Sequence, residues 1–216
     1  MPAKEVLKEA QKLYDEGKWL ESNSVLDDWF SGITIATDEE VVEAYRLMGW
    51  NYYYIATKGL GDKKTNLENA EKYFRGAWKY VPDKQASISI LNGLPLVLWL
   101  LNEKAAAWSR SEHDLYNFPD EPSIWNTRAI LCRWAKNFEE SVKVCEKVYE
   151  TALRKRDYRT AGHGKQNRGD ALKELGRIAE ARDDYVAAVG LYKDFEKTGE
   201  SAKFHIDGVA KKLSAL

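Results

Sequence analysis

Residues 45–52 read YRLMGWNY and residues 70–82 read AEKYFRGAWKYVP. In the first stretch Tyr45, Met48, Gly49 and Tyr52 recur at three- and four-residue intervals, and in the second Ala70, Phe74 and Ala77 do the same. Such intervals place residues on one face of a helix. Each stretch therefore predicts a helix with one packed side. The small residues Gly49, Ala70 and Ala77 mark where two helices approach closely enough to cross. Pro82 then ends the pair, because proline cannot continue a helix.

The same ladder recurs along the chain. It runs Val6, Ala10, Leu13, Ser22, Leu26 near the start. Around residue 130 it runs Trp125, Ala129, Cys132, Ser141, Cys145, Val148, and later Gly169, Leu172, Ala181, Tyr185, Ala188. Leu13 to Ser22, Cys132 to Ser141 and Leu172 to Ala181 each span nine residues, whereas Tyr52 to Ala70 spans eighteen. The second pair thus carries about nine extra residues, placed at 58–66 (KGLGDKKTN), with Gly59 and Gly61 giving a turn. Thr37 with Glu40 and Thr65 with Glu68 have capping-box spacing. Gly17 and Gly176 fall where a helix ends. No stretch alternates with period two for long enough to predict a strand.

This pattern resembles the tetratricopeptide repeat, a helix pair with small residues at the crossing and a closing proline. The resemblance implies an all-α fold: a right-handed superhelix of about five antiparallel helix pairs. The expected units are 3–36, 38–83, 84–120 (degenerate, with Pro95 inside an apolar run), 122–156 and 158–197. A helix over 200–214 caps the end, since a terminal repeat otherwise exposes an apolar face. One domain accounts for all 216 residues.

The family also implies a concave groove lined by the first helix of each pair, and hence a scaffold or adaptor that binds a peptide or helix of another protein. In the register of the ladder, the inward positions are Leu7, Gln11 and Tyr14; Arg46, Trp50, Tyr53 and the adjacent Tyr54; Asn126, Ile130 and Arg133; then Gln166, Asp170 and Lys173. Arg46, Trp50, Tyr53, Tyr54, Asn126 and Arg133 are the expected contacts, because aromatics and arginine dominate binding energy. The competing role for Trp50, Tyr53 and Tyr54 is packing against the next helix pair. Leu7 and Gln11 stand where a carboxylate-gripping groove would carry lysine and asparagine, which argues against a chaperone-tail adaptor.

Composition narrows the function classes. A net charge of -1 argues against a nucleic-acid binder that works through total charge. The balance is uneven, however: the first fifty residues hold eleven acids and five bases. Arg154, Lys155, Arg156, Arg159, Lys165 and Arg168 form one basic cluster, which offers an alternative: a regulator binding an anionic ligand or nucleic acid. The polar start and the two cysteines predict a reduced, cytoplasmic protein without a membrane span. The segment 161–166 (AGHGKQ) lacks phosphate-loop spacing. His113, His163 and His205 stand isolated, and neither Cys132 nor Cys145 has metal-site spacing. Glu139-Glu140 and Asp183-Asp184 fit exposed helix faces. No enzyme, metal or cofactor is therefore expected.

Overall fold

The computed structural model describes residues 2–32, 36–80, 90 and 92–216. Pro82, and the start of the degenerate third unit, lie outside the described residues. Among these residues there are eleven α-helices and one 3-10 turn, and no strand. The chain divides into two compact units, Met1–Ser109 and Arg110–Leu216.

The first unit contains α1 (Ala3–Asp15), α2 (Trp19–Gly32), α3 (Asp38–Thr57), α4 (Lys63–Ala77), a 3-10 turn at Trp78–Tyr80, α5 (Leu94–Leu100) and the start of α6 (Lys104–Asn117). The capping box at Thr37 forms as its spacing predicts: Glu40 N–H donates to Thr37 Oγ1 at 3.2 Å and Thr37 N–H donates to Glu40 Oε2 at 3.0 Å. Thr65 does not cap. The Asp62 carboxylate accepts from Thr65 N–H at 2.7 Å, so α4 starts one turn earlier. A carboxylate at the positive helix end outcompetes a hydroxyl further along the chain.

That early start also places the nine extra residues of the second pair. Three lengthen the end of α3, two lengthen the connection and four form the first turn of α4. Both helices grow by about a turn, and only residues 58–62 form the link between them. Pro95 sits in the first turn of α5, where its missing N–H costs nothing.

The second unit holds the remainder of α6, then α7 (Pro122–Trp134), α8 (Phe138–Arg154), α9 (Tyr158–Glu174), α10 (Ile178–Glu196) and α11 (Lys203–Ser214). Most ladder positions become core positions in both units, with Leu13, Tyr45, Tyr52 and Trp125 half-buried. Leu26, Phe74, Cys145 and Tyr185, each four residues after the small residue of its second helix, are all buried. The crossings share one geometry. Ser22 Oγ donates to the Ala10 carbonyl and Ser141 Oγ to the Ala129 carbonyl, both at 2.9 Å. In the last pair, a Cβ on Gly169 would lie 3.2 Å from the Ala181 carbonyl and 2.8 Å from the Tyr185 ring, so only glycine admits that ring.

The helix ends repeat as well. Gly17 and Gly176 take left-handed backbone, as does Lys136 at the equivalent turn within its pair and Arg156 at the turn between successive pairs. Each turn closes with a bond back to the preceding helix, such as Asn137 N–H to the Cys132 carbonyl and Arg177 N–H to the Leu172 carbonyl, both at 2.9 Å.

Candidate functional site

In the first unit, Arg46, Trp50, Tyr53 and Tyr54 follow one another on α3 at helical spacing, so they share a face. The three aromatic side chains are half-buried. Tyr54 stacks on the buried Trp19 at 5.1 Å and meets Tyr14 edge-on at 5.9 Å. Trp50 stands edge-on to Tyr53 at 5.4 Å and to Phe74 at 5.5 Å. Phe74 is buried against Gly49 and Gly93. One edge of this aromatic face therefore rests on the core of the helix pair, and the rings keep partial access to solvent. Aromatic contacts of this kind contribute about 0.5–1.5 kcal/mol each and hold the rings in place.

Arg46 is fixed beside them. It donates to both Glu43 oxygens, at 2.8 and 2.6 Å, and to Gln11 Oε1 at 2.6 Å. Burial is the largest single influence and opposes its charge, but the Glu43 hydrogen bonds together with the nearby charges of Glu43, Tyr14 and Asp15 leave its pKa raised. The inward positions of α1 and α3 thus meet through Arg46–Gln11 and Tyr54–Tyr14.

In the second unit the expected groove positions other than Ile130 are polar. Asn167 Nδ2 donates to Asn126 Oδ1 at 2.8 Å, joining α9 to α7. Arg133 Nη1 lies 3.3 Å from Asp170 Oδ2. Asp170 also accepts from Lys212 Nζ at 2.7 Å and from the Tyr185 hydroxyl at 2.8 Å. Lys173 Nζ donates to the Ala215 carbonyl at 3.3 Å. Helix α11 therefore reaches Asp170, and the residue after it reaches Lys173.

Four of the six cations of the basic cluster are engaged within the chain. Arg168 Nε donates to Asp184 Oδ2 at 2.6 Å and its Nη1 to Glu146 Oε1 at 3.1 Å. Lys165 Nζ lies 3.4 Å from Asp184 Oδ1 and 4.3 Å from the centre of the Tyr149 ring. Lys155 pairs with Glu121 at 2.7 Å, and Arg159 lies over the Phe195 ring at 5.7 Å. Arg154 and Arg156 are exposed, and Arg156 serves the α8–α9 turn with its left-handed backbone.

Two expectations change here. Asp184, placed on an exposed face from sequence, is 3% exposed and holds Lys165 and Arg168. The available signal was its position three residues after Ala181 and four before Ala188, on the packed face. His163 and His205 are not isolated either: their rings lie 4.8 Å apart. Their 42-residue separation in sequence hides this contact.

Cys132 and Cys145 are buried free thiols, and burial pushes Cys145 up to about 12, so it stays protonated. Among the described residues no group of three His, Cys, Asp or Glu side chains is placed to hold a metal ion. No described helix is long and apolar enough to cross a membrane.

The chain matches no protein-family model and no curated protein sequence. Its fold is found among solved structures. Bacillus thuringiensis PlcR in complex with the peptide PapR7 and DNA superposes with a TM-score of 0.68 at 14% identity, over 91% of this chain and 71% of PlcR. BtubC from P. vanneervenii gives 0.54 at 15% identity, over 87% of this chain and 78% of BtubC. The apo form of RapI gives 0.52 at 11% identity, over all of this chain and 70% of RapI. The chain has a tetratricopeptide-like helical-repeat fold.

Proposed function

We propose that this chain is a non-enzymatic, cytoplasmic member of the tetratricopeptide repeat family that binds a peptide or helix of another protein. The observation that carries the reading is the aromatic face of α3. Trp19 anchors Tyr54 and Phe74 anchors Trp50, these two rings hold Tyr53, and all three remain half-buried rather than sealed in the core. Rigid aromatics beside an arginine supply contact area at low entropic cost. Arg46 sets the polar edge of this surface. Asn126 and Arg133 give the second unit a separate polar contact surface. A chain of this fold, PlcR, is seen with a peptide, which supports the reading without transferring any residue at 14% identity.

The anionic-ligand alternative is less favoured, although PlcR is also seen with DNA. Four of the six cations of the basic cluster already face a carboxylate or an aromatic ring within this chain.

The test is a peptide-display selection against the full chain, followed by titration of the selected peptide. Trp50→Ala with Tyr53→Ala should raise its Kd about tenfold or more, the scale of an aromatic anchor, with helical ellipticity retained. Unchanged affinity would remove these residues from the site. Lost ellipticity would assign them to the core. Affinity falling steeply with salt would return the basic cluster to consideration.

A further inference from the structure

Helix α11 closes on α9 and α10 through two imidazoles and a phenol. The His205 ring lies 5.1 Å from Tyr192 at an interplanar angle of 21°, and 4.8 Å from His163. His163 meets Tyr192 at 5.7 Å, and Phe204 flanks His205 at 5.5 Å. Tyr192 is buried and its hydroxyl donates to Gln166 Oε1 at 3.0 Å. Ala202 and Val209 bury their side chains in the same cluster. Around the two imidazoles the interface is largely apolar, and the Lys212–Asp170 pair lies at its side.

The charges around it come from four helices, with Arg133 of α7 reaching Asp170. Helix α9 contributes Arg159 and Asp170, α10 contributes Glu196, and α11 contributes Lys203, Asp207 and Lys212. The carboxylates are already engaged. Asp170 holds Lys212 and Arg133, Glu196 Oε1 accepts from Ala202 N–H at 3.2 Å, and Asp207 pairs with Lys203 at 2.8 Å. What acts on His163 is burial first, then His205, then Arg159; on His205 it is burial, then Arg159. All of these disfavour a positive imidazole. His163 is driven well below its ordinary value, and His205 to about 3.

We infer that α11 is a proton-operated latch: neutral His163 and His205 hold it on α9 and α10, and protonation of either imidazole releases it, together with the contacts to Asp170 and Lys173. This inference stands on the α11 interface alone and does not require the proposed partner surface. The released state binds more protons than the docked one, so docking is complete above the free imidazole value of about 6.5 and weakens as pH falls below it. With His205 at about 3, that residue alone weakens docking about 30-fold between pH 7.5 and pH 5.

Hydrogen exchange on the full chain at pH 7.5 and pH 5, corrected for intrinsic rates, tests this. Protection in α11 should fall about 30-fold or more at pH 5 while α8 and α9 keep theirs. A chain carrying His163→Asn and His205→Phe should keep α11 protected at pH 5. Unchanged α11 protection in the natural sequence overturns the inference. So does equal loss in the variant, or loss of α8 and α9 in step with α11. If the variant does not fold, the imidazole proton resonances of the natural chain decide. Titration of both rings near 6.5 with α11 still docked overturns the latch, and resistance to protonation until α11 is released supports it.

Discussion

Replacing Asp184 tests how firmly the second unit depends on one buried charge. Its carboxylate is 4% exposed and takes Arg168 Nε at 2.6 Å and Lys165 Nζ at 3.4 Å. Removing one partner of a fully buried pair costs about 3–5 kcal/mol, because the remaining charge stays desolvated. The cations here are 24% and 16% exposed, and Arg168 retains Glu146 at 3.1 Å. They can therefore recover some hydration, and Asp184→Ala should cost about 2–3 kcal/mol. Urea denaturation should show the loss as a lower midpoint at constant slope. Asp184→Leu combined with Lys165→Met and Arg168→Met should regain much of it, since no buried charge then remains unpaired and Glu146 is exposed to water. A loss below about 0.5 kcal/mol for Asp184→Ala would refute the reasoning. It would mean that Lys165 and Arg168 are solvated independently of Asp184 and free to serve an anion.

Two further substitutions probe the repeat geometry. Gly49→Ala would bring a Cβ to 2.6 Å from the buried Phe74 ring, which Gly93 confines on another side. Overpacking of about 1–3 kcal/mol should outweigh the roughly 1 kcal/mol gain in helix propensity, leaving a lower melting temperature. A rise in melting temperature would show that the ring has room to move. Lys136→Gly relieves a left-handed turn residue at φ 61° and should stabilise the chain by about 0.5–1 kcal/mol. A destabilised Lys136→Gly chain in the same urea assay would contradict this account of the turn.

Much of the fold was legible because the repeat writes its packing into residue size. Ala10, Ala129 and Gly169 are small because a neighbouring helix crosses there. Leu26, Phe74, Cys145 and Tyr185 fall four residues beyond the small residue on the second helix. Thr37 with Glu40 states its cap locally, and both hydrogen bonds form. That Arg46, Trp50, Tyr53 and Tyr54 share one face of α3 was also recoverable, since a helix face depends on spacing alone. Less visible was the start of α4. Asp62 and Thr65 are both good caps, and the choice turned on which acceptor reached the open amide at the helix end.

The side-chain partners across helices were not legible. Asp184 carries the same residue type as the exposed Asp183 beside it, and only the approach of Lys165 and Arg168 from α9 explains its burial. The six cations of the basic cluster are close in sequence, but α9 turns Lys165 and Arg168 toward α8 and α10 while Arg154 and Arg156 stay at the helix end. The contact of His163 with His205 required α11 to fold back on α9. Sequence by itself determined the helices, their small-residue crossings and the face each one buries, because those follow from the 3.6-residue period and from side-chain volume. Tertiary structure alone decided which charges are neutralised and which imidazoles lose their water, because these depend on distances between helices that the chain's local pattern does not encode.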